Sequence, residues 1–251
     1  MRRLARLAVA ATLVSLPLSA PVQAAEFSDA QKAEIQAIVK DYLVQNPQIL
    51  RDMAQALQEA DRAAEDKQRG EALAANKDAM FKDEGDFVAG NPKGKITLVE
   101  FFDYNCSYCK HSFPSVLSLV EKDKDLRIVL KELPIFGGDS DYAARAAIAA
   151  KAQGKYWELH QALFKHEGKV TAAAVDEAAK AVGIDVAKMK ADMKSDAVKA
   201  KLAQNEVLAR AMAFTGTPAF VLDDVVIPGA VPLEGLEQTL KDVRDRGCKF
   251  C

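Results

Sequence analysis

Apolar runs without helical spacing predict buried β-strands in this chain. One run extends from Ile96 to Phe102, and a second, from Leu126 to Leu133, is closed by Pro134. A pair of aspartates before a short apolar run near the C terminus predicts a hairpin turn. The predicted strands, in chain order, are residues 87–89, 95–103, 126–133, 219–222 and 225–227.

Residues at helical spacing fill the long interval between the third and fourth predicted strands. Glycines and capping residues divide this interval into separate helices. The predicted helices are 141–153, 155–166, 171–183, a short one from 185, and 196–214, with a last helix at 233–246. The order strand, helix, strand, helical insertion, strand, strand, helix predicts an α/β domain.

The first residues have the pattern of a secretory signal. Three arginines precede an apolar run, and small residues then suit cleavage after Ala24. The run is shorter than a membrane span of about 20 residues, although an uncleaved anchor is the alternative. We therefore assign residues 1–24 to a signal peptide and expect a periplasmic protein. Cleavage changes the net charge from −2 to −5, which gives no general attraction to nucleic acid.

Two helices are predicted at the start of the mature chain. Ser28 and Gln31 form a capping box, while Asn46 ends the first helix and caps the second. Apolar residues recur at helical spacing until about residue 64, and the sequence then becomes polar on all sides. This apolar stripe either packs on the chain's own domain or mediates self-association.

We favour self-association, and expect a homo-oligomer formed through residues 28–64. The segment 25–64 is accordingly assigned to oligomerisation. Residues 65–84 are assigned to a helical linker, because their polar part contains a helix-weakening glycine.

Two cysteines separated by two residues follow the strand that ends near Phe102. A helix continues after them, so Cys106 would lie at its N-terminus. Unpaired backbone N–H groups and the helix dipole stabilise a thiolate there. Cys106 is therefore the predicted nucleophile and Cys109 the resolving thiol, with no cofactor required. A structural disulfide or half of a zinc site is the alternative reading of such a pair.

The order of elements and four motifs resemble the DsbA family of periplasmic thiol oxidoreductases. The resemblance implies a thioredoxin-like fold with a helical insertion at about 139–214, within a domain at 85–246. The N-terminal helices are similar to those of its oligomeric suppressor-of-copper-sensitivity (ScsC) members. The motifs are Glu100-Phe101-Phe102, Cys106-Ser107-Tyr108-Cys109, Tyr156-Trp157-Glu158-Leu159-His160 and Gly216-Thr217-Pro218.

The resemblance implies an acid–base role for Glu100, six residues before the first cysteine. A buried carboxylate at this position could accept the proton of Cys109 during resolution. An exposed strand-edge glutamate is the alternative. Ser107 and Tyr108, which separate the cysteines, would tune the stability of the thiolate.

The resemblance also implies that Thr217 and Pro218 bind substrate. The peptide bond before Pro218 would be cis, and the loop would face the cysteines. The backbone of Thr217 would then pair with an extended substrate strand. An ordinary trans turn is the alternative.

A second pair, Cys248 and Cys251, lies in the C-terminal tail, residues 247–251. We expect a second disulfide there, with a shuttle pair or a Cu(I) site as alternatives. No metal site is assigned.

These patterns predict a thiol:disulfide oxidoreductase that acts on secreted proteins with cysteines. The resemblance of the N-terminal extension to that of oligomeric members, rather than the chemistry of the site, leads us to favour an isomerase or reductase. A membrane-bound partner would keep it reduced. A dithiol oxidase is the alternative within this class. A copper-sequestering protein that uses both cysteine pairs is the alternative from another class.

Overall fold

The computed structural model describes residues 27–250 of the 251-residue chain. These residues fall into two compact units. The first unit ends at Glu59, and the second begins at Ala60. The predicted signal peptide lies outside the described residues. Within them, no helix has both the length and the apolar character needed to cross a membrane.

The first unit contains helix α1 (Asp29–Gln45) and the start of α2 (Gln48–Ala75). The predicted capping box is confirmed, because the Ser28 and Gln31 side chains each bond the other's backbone N–H. The prediction that Asn46 caps the second helix is wrong. Asn46 is the C-cap of α1, and its side-chain amide donates to the carbonyl oxygen of Tyr42.

The second unit is built on a five-stranded sheet in the order β1-β3-β2-β4-β5. Strands β2 and β3 are parallel, and the other neighbours are antiparallel. Every residue of β2 is buried, because this strand lies between two others and is covered on both faces. The strands are β1 (Phe87–Gly90), β2 (Ile96–Phe102), β3 (Leu126–Glu132), β4 (Ala219–Leu222) and β5 (Val225–Pro228).

Eight further helices follow α2, close to the predicted positions. Helix α5 begins three residues before its predicted start and continues into a 3₁₀ turn, Lys151–Gln153. The helices are α3 (Lys77–Phe81), α4 (Ser107–Lys122), α5 (Gly138–Ala150), α6 (Tyr156–Lys165), α7 (Ala172–Ala181), α8 (Val186–Asp192), α9 (Asp196–Ala211) and α10 (Leu233–Arg246).

Two apolar cores lie on the two faces of the sheet. Helices α4, α6 and α10 contribute to the core that contains Leu98 and Phe102. The other core contains Val99 and Phe101, together with residues of α9 and of the segment assigned to a linker. In that segment α2 continues through the polar stretch to Ala75, and Leu73, Met80 and Phe81 are buried. The end of the predicted linker is therefore part of the core of the second unit.

A buried ionic cluster fixes this segment to the sheet. Lys131 of β3 is completely buried, ion-pairs with Asp86 and donates to the carbonyl oxygen of Ala79 at 2.9 Å. Lys201 of α9 ion-pairs with both Asp86 and Asp83. Charges removed from water require such partners, because an unpaired buried charge is costly.

We predict that Asp86→Ala destabilises the protein by roughly 3 kcal/mol, since it leaves Lys131 buried without its carboxylate. The free energy of unfolding measured in urea tests this expectation. Asp61→Ala removes a carboxylate from an exposed position of α2 and should change stability by less than about 0.5 kcal/mol. Equal effects of the two substitutions would contradict the assigned role of Asp86.

Candidate active site

The two cysteines lie where the sequence places them, at the start of α4. Cys106 is the N-cap residue of this helix, and Cys109 follows in its first turn. The two residues are 2% and 0% exposed, respectively, and both are free thiols in this structure. A helix N-terminus thus presents its backbone N–H groups to a sulfur that is almost fully enclosed.

Two hydrogen bonds define the position of the Cys106 sulfur. The backbone N–H of Cys109 donates to Sγ of Cys106 at 3.4 Å. The Cys106 thiol donates to the carbonyl oxygen of Thr217 at 3.1 Å. The sulfur of Cys106 thus accepts one hydrogen bond from its own helix and donates another to the loop that contains Thr217.

The Thr217–Pro218 peptide bond is cis, and its loop lies directly against Cys106. Strand β4 begins at the next residue and pairs with β2. The sheet therefore brings together two motifs that are 111 residues apart in the chain. This contact agrees with the placement implied by the family resemblance.

Glu100 is buried in β2, which excludes the alternative of an exposed edge residue. Burial raises the pKa of its carboxyl group to about 8. Burial also raises the pKa of the Cys109 thiol, and the nearby charge of Glu100 adds to that effect. Cys109 thus needs a proton acceptor, and Glu100 is a carboxyl group close enough to influence it.

Asp103, between β2 and the cysteines, organises the approach to the site. Its Oδ2 accepts from the backbone N–H groups of Ile135 and Phe136, at 2.7 and 3.1 Å. Its Oδ1 accepts from the Asn105 backbone and the Ser140 hydroxyl, both at 2.7 Å. Four donors satisfy this buried carboxylate and join three segments of the chain. Sequence reasoning assigned no role to Asp103, although it lies in the stretch that carries the cysteines.

A second polar cluster lies beneath the site. The hydroxyl groups of Tyr104 and Tyr156 donate to Oε1 of Glu132, and Tyr104 also bonds Nδ1 of His160. Burial raises the pKa of Glu132 and lowers that of His160 to about 3. His160, on α6, is a fully buried member of this cluster. The sequence signal for this cluster was Glu132, a carboxylate at the end of the apolar strand β3.

The residues between and around the cysteines are more exposed. Ser107 is exposed, and Tyr108 is 67% exposed. Ile135 and Phe136, held by Asp103, are 45% and 56% exposed. Trp157 stacks between Phe87 and His160. We use the name apolar rim for Tyr108, Ile135 and Phe136.

The C-terminal tail is docked on the β4–β5 turn. The backbone N–H groups of Lys249 and Phe250 donate to Oδ1 of Asp223, at 2.8 and 2.7 Å. Cys248 is disulfide-bonded, and Cys251 lies outside the described residues. Within residues 27–250, no group of three or more metal-ligating side chains is placed to hold an ion.

A parallel β-helix-β unit that delivers two cysteines to a helix N-terminus, opposite a cis-proline loop, defines a dithiol site of the thioredoxin class. Residues 97–241 match the model of the DSBA-like thioredoxin domain. The chain belongs to this family of DsbA- and ScsC-like thiol-disulfide oxidoreductases. Residues 31–64 match a second model, the copper resistance protein ScsC N-terminal domain.

Solved structures agree with this assignment. A thioredoxin-like oxidoreductase from Silicibacter pomeroyi DSS-3 is 43% identical, with a TM-score of 0.67 over 68% of this chain and 98% of that chain. ScsC from Proteus mirabilis, in a transitional conformation, is 32% identical, with a TM-score of 0.65 over 88% of this chain and 100% of its own. The second similarity extends beyond the catalytic domain.

Curated relatives include a Na(+)/H(+) antiporter NhaA 1 from Salinispora arenicola. It is 28% identical over 153 residues, which are 60% of this chain but 24% of the antiporter. The chain thus spans about a quarter of the length of the curated relatives it matches.

We predict that Glu100→Gln stabilises the protein at neutral pH. The pKa of Glu100 is raised from 4.5 to about 8, so its contribution to stability is complete below pH 4.5 and is lost as pH rises towards 8. At neutral pH the loss is ~3 kcal/mol, because one pKa unit corresponds to about 1.4 kcal/mol.

Urea unfolding at pH 4.5 and at pH 7 measures this difference. The gain from Glu100→Gln should appear at the higher pH and largely vanish at the lower one. Glu237→Gln, on an exposed position of α10, is the control and should show no such pH dependence. A gain that is the same at both pH values would mean that the carboxyl group is not the cause.

Proposed function

We propose that this chain is an exported thiol:disulfide oxidoreductase that exchanges disulfides with cysteine-containing proteins. The observation that carries the proposal is the position of Cys106, between the N-terminus of α4 and the carbonyl oxygen of Thr217, with Cys109 buried behind it. Both cysteines are buried in this structure, and Cys106, which is 2% exposed against 0% for Cys109, is the one that we assign to attack the substrate.

In the reducing direction, the Cys106 thiolate attacks one sulfur of a substrate disulfide. A mixed disulfide forms, and the other substrate sulfur leaves with the electron pair. Cys109 then loses its proton to the carboxylate of Glu100 and attacks Sγ of Cys106. The mixed disulfide breaks, the second substrate thiolate leaves, and the Cys106–Cys109 disulfide remains. The oxidising direction is the reverse sequence.

The surface around the site suits an extended polypeptide. Thr217 lies two residues before β4, where a substrate backbone can extend the strand pairing, while Ser107 and Tyr108 follow the nucleophile in the chain. The apolar rim offers exposed side chains on Tyr108, which lies between the two cysteines in the chain, and on Ile135 and Phe136, whose backbone N–H groups bond Asp103. Burying apolar area contributes affinity in water. Unfolded secreted proteins present such apolar segments next to their cysteines.

The N-terminal unit supports an oligomeric form. Helix α1 has no buried residue in the single chain, although it carries large apolar side chains. An apolar stripe exposed to water is unstable unless it is covered, and pairing with copies of itself covers it. The exposed side chains are Ile35, Ile38, Val39, Tyr42, Val44, Leu50, Met53 and Leu57.

An oligomer would hold several dithiol sites in one particle, which suits an isomerase or a reductase. Isomerisation requires the reduced form, so a membrane-bound reducing partner completes the proposal. Export through residues 1–24 would place the protein in the periplasm, where substrates with disulfides occur.

Cysteine substitutions test the catalytic assignment. We expect Cys106→Ser to abolish both reactivation of a protein with scrambled disulfides and oxidation of a dithiol peptide, because it lacks the attacking sulfur. Cys109→Ser should accumulate mixed disulfides, since nothing resolves them. Activity assays and mass spectrometry of the intact adducts measure these results.

Cys248→Ser is the matched control and should retain both activities. Full activity of Cys106→Ser would refute the proposal. Loss of activity in Cys248→Ser would instead favour the tail pair as a shuttle. The ratio of the two wild-type activities distinguishes an isomerase from an oxidase.

Lysine substitutions test self-association. Ile38→Lys combined with Leu57→Lys should reduce the light-scattering mass of the mature chain to that of a monomer, because lysine keeps the helix but places charge in the stripe. Val207→Lys changes a similarly exposed apolar residue, 59% against 61% for Ile38, and should leave the mass unchanged. A monomeric mass for the unsubstituted chain would refute the oligomer.

A further inference from the structure

A network of side-chain hydrogen bonds connects the nucleophile to the apolar rim and to the helical insertion. Asn105 immediately precedes Cys106, and its side-chain amide reaches two other segments of the chain. Nδ2 donates to the carbonyl oxygen of Val170 at 3.1 Å, and Oδ1 accepts from the Val170 N–H at 2.8 Å. These two bonds join residues that are 65 positions apart in the sequence. The Asn105 side chain donates to the backbone of Val170 and also accepts from it.

Ser140 joins this amide to the Asp103 carboxylate. Nδ2 of Asn105 also donates to Oγ of Ser140 at 3.1 Å, and that hydroxyl donates to Asp103 at 2.7 Å. Asp103 in turn holds the backbone N–H groups of Ile135 and Phe136. A continuous chain of hydrogen bonds therefore runs from the residue before Cys106 to two members of the apolar rim.

The Ser140 and Asp103 side chains in this hydrogen-bond network are well shielded from water. Ser140 is 1% exposed and Asp103 is 2% exposed. Each hydroxyl or carboxylate contact there replaces a hydrogen bond that water would otherwise supply, so losing one leaves its partner unsatisfied. The neighbouring Lys110 strengthens the same junction, because its ammonium donates to the carbonyl oxygens of His166 and Gly168, just before Val170.

We propose that Asn105, acting with Ser140 and Asp103, is a positioning residue that holds the apolar rim in a fixed relation to Cys106. The proposal rests on the function proposed above and adds the origin of its substrate preference. Asn105 does not touch the reacting sulfur of the substrate. It sets the distance between the point where the disulfide is attacked and the surface where flanking apolar residues bind.

This arrangement matters only for substrates that contact both places at once. A polypeptide that places its disulfide at Cys106 and its apolar side chains on the rim gains affinity only if the spacing is kept. A small disulfide such as glutathione disulfide reaches Cys106 without the rim. Loosening the network should therefore affect the two kinds of substrate differently.

The experiment compares three disulfides reduced by the full mature chain. The first is a peptide with an intramolecular disulfide flanked by leucine and phenylalanine, the second has serine at those flanking positions, and the third is glutathione disulfide. We expect the unsubstituted chain to prefer the apolar peptide in kcat/KM by about tenfold, as the burial of one large side chain allows.

Asn105→Ala should reduce this preference to about twofold or less, mainly through a higher KM for the apolar peptide. Its rate with glutathione disulfide should stay within about threefold of the unsubstituted chain. Ser140→Ala keeps both bonds to Val170 and should give a smaller loss in the same direction. Asn91→Ala is the matched control, because the Asn91 amide also bridges distant backbone, donating to Lys124 at 2.8 Å, but lies outside the site.

Three outcomes would overturn the inference. Equal losses for all three disulfides in Asn105→Ala would mean that the residue acts on Cys106 alone. An unchanged preference in that variant, or no preference in the unsubstituted chain, would remove the link to the rim. If the unsubstituted chain reduced none of the disulfides, the proposed function itself would fail. This result differs from the three above, which overturn only the role of Asn105.

Discussion

The carboxylate of Asp103 is the interaction on which the active-site end of this molecule depends. It is buried, it accepts four hydrogen bonds, and its donors come from three separate segments. A carboxylate removed from water is tolerated only when its oxygens are fully bonded, so the four donors must hold their places. The loop before Cys106, the loop after β3 and the first turn of α5 are consequently fixed to one another.

Two buried groups near the site, Glu100 and Cys109, have charged forms that the fold disfavours. Burial raises the pKa of both Glu100 and the Cys109 thiol, because charge is poorly solvated inside the domain. A glutamate with a raised pKa is costly for the fold at neutral pH, but it is well suited to take up and release a proton there. Under the proposed proton-accepting role of Glu100, stability and reactivity are opposed at this position.

The two units of the chain use apolar residues in different ways. In the second unit, apolar side chains fill two cores on opposite faces of one sheet, and the charged Lys131 is buried together with the carboxylate of Asp86. In α1 the apolar side chains remain exposed in a single chain. This contrast is the physical reason to expect more copies of the protein in the functional particle.

The amino-acid sequence by itself determined most of the elements and the position of the two cysteines at the start of α4. Continuous apolar runs identified β2 and β3, since strands covered on both faces lack alternation. Glycines and capping residues such as Ser28 and Thr171 identified most helix ends, because their conformations and side chains act locally. The spacing of Cys106 and Cys109 after a strand predicted a dithiol site, because this spacing is also a local feature of the sequence.

Only the tertiary structure decided which distant groups meet. The bond between Cys106 and Thr217, the pairing of Asn105 with Val170, and the burial of His160 beside Tyr104 all join residues more than fifty positions apart. No local pattern encodes such contacts, because they follow from how the sheet and the insertion pack. Local rules failed at Asn46 for a related reason, since one side chain there could cap either of two adjoining helices. Packing also decided that Leu73, Met80 and Phe81 belong to a core, although the sequence around them resembles a solvated spacer.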